Sequence, residues 1–207
     1  MSVVVAIKQN GKVYIGADSQ VTKGGTRVTL KNSNNYKIWK VANAEHCLMG
    51  HVGNLRDANL VRLMDSLVTD YNFYRNHVCF EFVVKKIVPD IVQELTDYGL
   101  LKDGKTTDCL DSSFLFAYKD QLYSINSDRA VIEIDDYVAI GSGADQAIGS
   151  LLSTEGEEPK ARIVKAIKSS AASDIYVDYP IIIADTENTE FEIINEKDEE
   201  KYLKKNK

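Results

Sequence analysis

The sequence predicts an α+β fold, a four-layer sandwich of two antiparallel sheets held between two helix layers. Strand-like segments come in adjacent pairs separated by tight-turn signals, which builds antiparallel sheets from hairpins. Helical stripes interrupt the strands in two places, so the order is strands, two helices, strands, two helices, strands. This is not a βαβ alternation, and a doubly wound parallel sheet is disfavoured. Each sheet then has one face for the other sheet and one for helices, and four layers cover all of these faces.

Residues 2–8 are rich in valine, Gln9-Asn10-Gly11 is a tight-turn signal, and residues 12–17 resume the apolar pattern as the second arm of a hairpin. A polar loop with Gly24 and Gly25 follows. Residues 36–42 and 46–52 read as two more strands around Asn43-Ala44-Glu45. Asn54 is placed to cap a helix whose apolar positions are Leu60, Met64, Leu67, Val68 and Tyr71. Val84, Ile87, Val88, Ile91, Val92 and Leu95 carry a second stripe to Tyr98, with Gly99 as a stop and Pro89 predicting a kink or a split. Residues 112–119 and 122–127 form a hairpin around Asp120-Gln121, and 131–134 and 137–140 are further strands. Helices over 145–152 and 160–172 flank the Gly156 and Pro159 break, and 181–184 with 191–194 make the last strand pair. Residues 1–195 read as one domain, which 207 residues at 44% hydrophobic content can support, and 196–207 as a charged, flexible tail.

Composition excludes several function classes. Lys and Arg total 25 against 31 Asp and Glu, a formal charge of -6, so neither nucleic acid nor an anionic membrane is an expected partner. The longest apolar runs fall far short of the roughly 20 residues that span a bilayer, and residues 3–7 are too short for a signal-peptide core. Cys47, Cys79 and Cys109 lack CxxC spacing, which predicts reduced thiols and a cytoplasmic setting. His46, His51 and His77 form no close ligand pair, and no GxGxxG or GxxxxGK[ST] loop is present, so neither a transition metal nor a nucleotide site is expected.

Several motifs, in order, carry the chemistry. Ser2-Val-Val-Val-Ala-Ile-Lys, Asn10-Gly11 and Ile15-Gly16-Ala17-Asp18-Ser19-Gln20-Val21-Thr22 are followed by Tyr36-Lys37-Ile38, Met49-Gly50-His51-Val52-Gly53 and Ala139-Ile140-Gly141-Ser142-Gly143. This series resembles the proteasome β-subunit and HslV-like peptidase family, N-terminal nucleophile hydrolases, over most of the chain outside about residues 72–110 and the tail. The resemblance implies a peptidase in which Ser2, exposed by removal of Met1, is the nucleophile. The free α-amine of the same residue would be its base, and an ordinary amine pKa near 8 suits that role.

By the same resemblance Lys37 is the active-site lysine, Asp18 holds it, Gly53 supplies an oxyanion N–H, and Ser142 lies near the amine. Asp174 is the matching outer aspartate, although Val177 stands where a serine or threonine is expected three residues on. Val21, His51 and Trp39 are placed at substrate-pocket positions. No cofactor is required; a structural monovalent or divalent cation on the carbonyls of Ser173, Tyr176 and Tyr179 is loosely implied. The implied partners are identical subunits in a ring or barrel, peptide or unfolded protein as substrate, and an ATP-dependent unfoldase.

Departures keep alternatives open. Relatives mostly use threonine where this chain has Ser2, which keeps the hydroxyl without the methyl that restricts its rotamer. The longer loop between Asp18 and Lys37 leaves Lys40 as a second register. Singly, Asp18 reads as a loop cap, Lys37 as a solvated charge and Gly53 as a turn into a helix. A retained Met1 would make a catalytically silent structural subunit, and the same nucleophile logic also serves small-molecule amidases.

Overall fold

The computed structural model describes residues 2–65, 67, 78–101 and 109–205. It opens with β1 (Val3–Gln9) and β2 (Lys12–Ala17), joined at Asn10-Gly11 with φ of 57° and 72°. Two positive φ values give the turn whose twist matches that of the strands, so this dipeptide sets the register as well as the reversal. β10 (Tyr137–Gly141) pairs with β1, β11 (Ile181–Asp185) with β2, and β12 (Glu192–Ile194) with β11, all antiparallel. The second five-stranded sheet runs β5 (Ile38–Lys40), β6 (Cys47–Gly53), β7 (Ser112–Tyr118), β8 (Gln121–Ile125), β9 (Val131–Glu133) in chain order.

The period-2 alternation of β1 explains the layering. Val4 and Ala6 face the second sheet and pack with Leu48, Leu115 and Ala117. Val3, Val5 and Ile7 face the other way, onto Leu151 of α4 (Ala144–Ser153) and Ile163 and Ile167 of α5 (Pro159–Ala171). On the far side of the second sheet, Met49, Phe114 and Phe116 pack with Val61 of α1 (Leu55–Arg62), Phe82 of α2 (Phe80–Phe82) and Ile91 and Leu95 of α3 (Val88–Asp97). Phe82, Phe114 and Phe116 are fully buried, each contributing about 1.5–3 kcal/mol. Three apolar clusters fill the three interfaces of the predicted four-layer sandwich.

Asn54 caps α1, its side chain accepting from the Arg56 N–H at 3.0 Å. The helix ends at Arg62, earlier than the stripe to Tyr71 predicts, although Met64 and Leu67 stay buried. Val68, Tyr71 and His77 lie outside the described residues. A π-helical segment, Val83–Ile87, joins α2 to α3 just before Pro89. Proline has no N–H and its ring crowds the carbonyl four residues back, here Lys85, so the widened turn is the split that Pro89 predicts.

Two expectations are corrected. The polar loop at Gly24 and Gly25 is a two-stranded ribbon, β3 (Gln20–Lys23) and β4 (Thr26–Thr29). Its residues are mostly exposed, so no apolar alternation marks it. The charged tail is not solvated over its whole length: a 3-10 turn, Glu196–Asp198, leads into α6 (Glu199–Lys205), where Glu199 is only 3% exposed. Glu199 accepts from Lys168 Nζ at 2.6 Å and from the Tyr179 hydroxyl, and Tyr202 donates to Glu192 at 3.0 Å. Each carboxylate has a specific donor, which charge counting along the sequence does not reveal.

Candidate active site

Ser2 immediately precedes β1, an interior strand of the first sheet between β10 and β2, and is 6% exposed. Its nitrogen donates to Ser142 Oγ at 3.1 Å, and its carbonyl accepts from Ser142 Oγ at 3.4 Å and from the Gly143 N–H at 3.3 Å. Gly141 has φ +104°, and a Cβ there would collide with the Ser2 carbonyl. Gly141-Ser142-Gly143 therefore wraps residue 2 at a distance only glycine permits. Ser170 on α5, absent from the sequence reading, is fully buried and donates to the Gly143 carbonyl at 2.7 Å. Its one signal in the sequence is a hydroxyl inside the apolar stripe of a helix.

Asp18 follows β2 and is fully buried. One carboxylate oxygen accepts from the Val3 N–H at 3.0 Å and the other from the Gln20 N–H at 2.9 Å. Lys37 Nζ donates to both, at 2.7 and 2.8 Å, with its side chain 5% exposed. Asp18 thus ties the lysine to the backbone next to Ser2. Lys40 is exposed on β5, which leaves Lys37 as the lysine brought to Asp18. Burial pulls the Lys37 ammonium below its ordinary 10.5, against the Asp18 carboxylate and its hydrogen bond, with Asp174 also raising it.

Asp174 follows α5; its Oδ1 accepts from the Tyr176 N–H at 2.9 Å, and its Oδ2 is buried without a hydrogen-bond partner. The neighbouring carbonyls of Ile175 and Asp178 accept from Gln20 Nε2 at 2.8 Å and the Ser19 N–H at 3.0 Å, which binds this loop to the Asp18 side. The unpartnered carboxylate oxygen leaves the loop that holds Ser173, Tyr176 and Tyr179 with spare acceptor capacity. Among the described residues no three of His, Cys, Asp and Glu cluster as a metal site.

Gly53 ends β6 with φ +118°, and Val52 Cγ1 lies 3.1 Å from where a Gly141 Cβ would sit. The end of β6 is therefore beside Ser2. The pocket residues scatter. Val21 is half-buried on β3, next to a cavity of about 460 Å³ lined by Gln20, Thr22, Arg27 and Tyr176. His51 is 4% exposed, tilted against Phe114, with Nε2 3.1 Å from Ser112 Oγ. Burial pushes it down to about 3, helped by Lys37 and Arg62, so the ring is neutral. Trp39 is 4% exposed and packs in the outer core under the Arg62 guanidinium.

The profile of a family described as proteasome subunit matches residues 2–184. The chain belongs to the proteasome subunit family. Among proteasome-family relatives, the ATP-dependent protease subunit HslV of Ligilactobacillus salivarius is 29% identical over 188 residues, covering 88% of this chain and 98% of that protein. The same-named subunit of Borrelia recurrentis is 30% identical over 188 residues, covering 87% and 94%. Eukaryotic HslV from Trypanosoma brucei superimposes with a TM-score of 0.65 at 17% identity, over 88% of this chain and 97% of its own. Anbu, an ancestral beta-subunit from Yersinia bercovieri, gives 0.67 at 14% identity, over 98% and 90%. At these identities the solved structures establish the proteasome fold of the chain. Among the described residues no helix is long and apolar enough to cross a membrane.

Proposed function

We propose that this chain is an HslV-like peptidase subunit that cleaves peptide bonds with the Ser2 hydroxyl, after removal of Met1. The observation that carries the reading is the buried Lys37–Asp18 pair, fastened through the Val3 N–H to the residue beside the nucleophile.

With Met1 gone, the Ser2 nitrogen is a primary amine within reach of Ser142 Oγ. Positive charge at Lys37 favours the unprotonated amine, which takes the Oγ proton directly or through a water. Oγ attacks the peptide carbonyl carbon and the carbonyl oxygen becomes an oxyanion facing the Gly53 N–H; losing one such donor typically costs roughly 10²–10³ in rate. Collapse breaks the C–N bond as the ammonium returns its proton to the leaving amine. Water then hydrolyses the seryl ester by the same proton path. Asp174, electrostatically coupled to Lys37, acts one layer out. A cation on the carbonyls of Ser173, Tyr176 and Tyr179 would stiffen the Asp174 loop and takes no part in proton transfer.

The name of the curated relatives, ATP-dependent protease subunit HslV, supports a subunit of an ATP-dependent protease; identical subunits in a ring, an ATP-dependent unfoldase as partner and a cytoplasmic setting complete the proposal. Intact-mass measurement of natively expressed protein should show loss of Met1. Ser2→Ala should abolish peptide-amide turnover while the assembly, read by light scattering, persists. A retained Met1 would overturn the catalytic reading in favour of a silent structural subunit, and a monomer would overturn the ring.

A further inference from the structure

The Ser112 hydroxyl joins three groups directly behind Gly53. It donates to Asp57 Oδ2 at 2.7 Å, and it lies 3.1 Å from both the Asn54 N–H and His51 Nε2. Ser112, Asp57 and His51 are 2%, 3% and 4% exposed. A hydroxyl has one proton and two lone pairs. Its proton is committed to the Asp57 carboxylate, so the Asn54 N–H and a protonated His51 Nε2 fill the lone pairs, and every valence of Oγ is used. The neutral imidazole is a donor here and the hydroxyl is 2% exposed with every valence of Oγ filled, so Ser112 has no lone pair free for a substrate and is no second nucleophilic centre.

The hub sits where backbone direction matters. Gly53 pairs with Ser112 across the sheet, and a Cβ at Gly53 would lie 2.7 Å from Ser112 Cα and 3.0 Å from Ser112 Oγ, and would run into the Asp111 carbonyl. The next N–H, that of Asn54, is held by the Asp111 carbonyl at 3.1 Å as well as by Ser112 Oγ. Asn54 also caps α1, the helix that supplies Asp57. Gly53 is thus clamped between the β6–β7 ladder and a helix start, at a φ that isolated chains of other residues avoid.

We infer that Ser112 is a positioning residue for the reaction: with Asp57 and His51 it holds the 53–54 peptide through the Asn54 N–H, which fixes Gly53 and, across its Cα, the preceding 52–53 peptide whose N–H is aimed at the developing oxyanion. This inference rests on the peptidase reading above. The hydroxyl touches no reacting atom; it acts through Gly53. An oxyanion donor works because it is aimed before charge develops, and a misplacement of about 1 Å can cost on the order of 10²-fold in rate.

The test uses the assembled protein with Ser112→Ala and Ser112→Thr, and Ser2→Ala beside them. Ser112→Ala should lower kcat for a peptide amide at least ~10-fold with KM within about two-fold. It should weaken a peptide boronate, whose tetrahedral centre carries the oxyanion-like oxygen, at least ~10-fold more than the matching unreactive peptide amide. Ser112→Thr, which keeps the hydroxyl, should restore both. A raised KM at unchanged kcat, equal weakening of boronate and amide, or no rescue by threonine would overturn the inference even though Ser2→Ala is inactive. Full turnover by Ser2→Ala would instead overturn the peptidase reading and this inference with it.

Discussion

The Lys37 ammonium lies 2.7 and 2.8 Å from the two carboxylate oxygens of Asp18, and the carboxylate also takes the N–H groups of Val3 and Gln20. Removing one partner of such a buried pair leaves the other charge uncompensated, at a cost of about 3–5 kcal/mol. Lys37→Met and Asp18→Asn should each be inactive and destabilised by that order. The double variant removes both charges, so its unfolding midpoint in denaturant should lie above that of either single variant while its peptidase activity stays absent. A double variant no more stable than the singles would show that the pair is not what holds this part of the fold.

Gly141→Ala tests the fit around residue 2. The backbone there has φ +104°, and the new methyl meets the Ser2 carbonyl. The strain costs about 1–3 kcal/mol, and the displaced carbonyl takes Ser2, the proposed nucleophile, with it. Gly156→Ala is the control: φ is +87° and nothing lies within 4 Å of the added carbon. Both variants should melt lower than the parent, and only Gly141→Ala should lose kcat, read in a peptide-amide assay with thermal unfolding beside it.

The layer order was legible because β1, β2, β6 and β7 carry apolar residues on both faces and the pairs β1–β2, β5–β6 and β7–β8 are joined by short turns. Asn10-Gly11 and Asn54 were legible because a turn and a helix cap each demand particular side chains. The β3–β4 ribbon was not, since its stability comes from backbone pairing that leaves no apolar period. Ser2, Asp18, Lys37, Gly53 and Ser142 stood out only as an ordered set; each alone is an ordinary cap, charge or turn residue. Ser112, Asp57 and Ser170 went unseen because a buried hydroxyl or carboxylate gains its role from partners 55 and 27 positions away.

Glu199 fastens α6 to the loop that carries Asp174. It accepts from Lys168 and from Tyr179, whose hydroxyl is pushed well above its ordinary value, chiefly by burial and then by its bond to Glu199. Glu199→Ala leaves Tyr179 and Lys168 without that carboxylate and should cost about 1–3 kcal/mol in an unfolding titration. A spectrophotometric tyrosine titration should show one phenol ionising at lower pH than in the parent. Peptidase activity should fall with it, because the residue 172–180 loop places Asp174 near Lys37; full activity would separate the tail from the site.

His51 gives the protein an acid limit. Its ordinary value is 6.5, and burial, with Lys37 and Arg62 nearby, pushes it down to about 3 in the folded chain. Between those two values the unfolded chain takes up a proton that the folded chain refuses, so stability falls as pH falls. The contribution is intact above 6.5, starts to go below it, and is lost progressively towards about 3. Most carboxylates titrate near or below about 4.5, so the imidazole leads the span from pH 6.5 to about 4.5, with Asp57, whose carboxyl burial pushes up, entering from the acid side in both proteins. His51→Gln keeps a side-chain N–H for Ser112 and removes the titration. Its unfolding free energy should be lower than the parent's at pH 7, because packing on Phe114 is lost, yet it should fall less steeply between pH 6.5 and about 4.5. Parallel slopes for the two proteins over that span would mean that the ring accepts its proton in the folded state, and that the Ser112 hub tolerates an imidazolium.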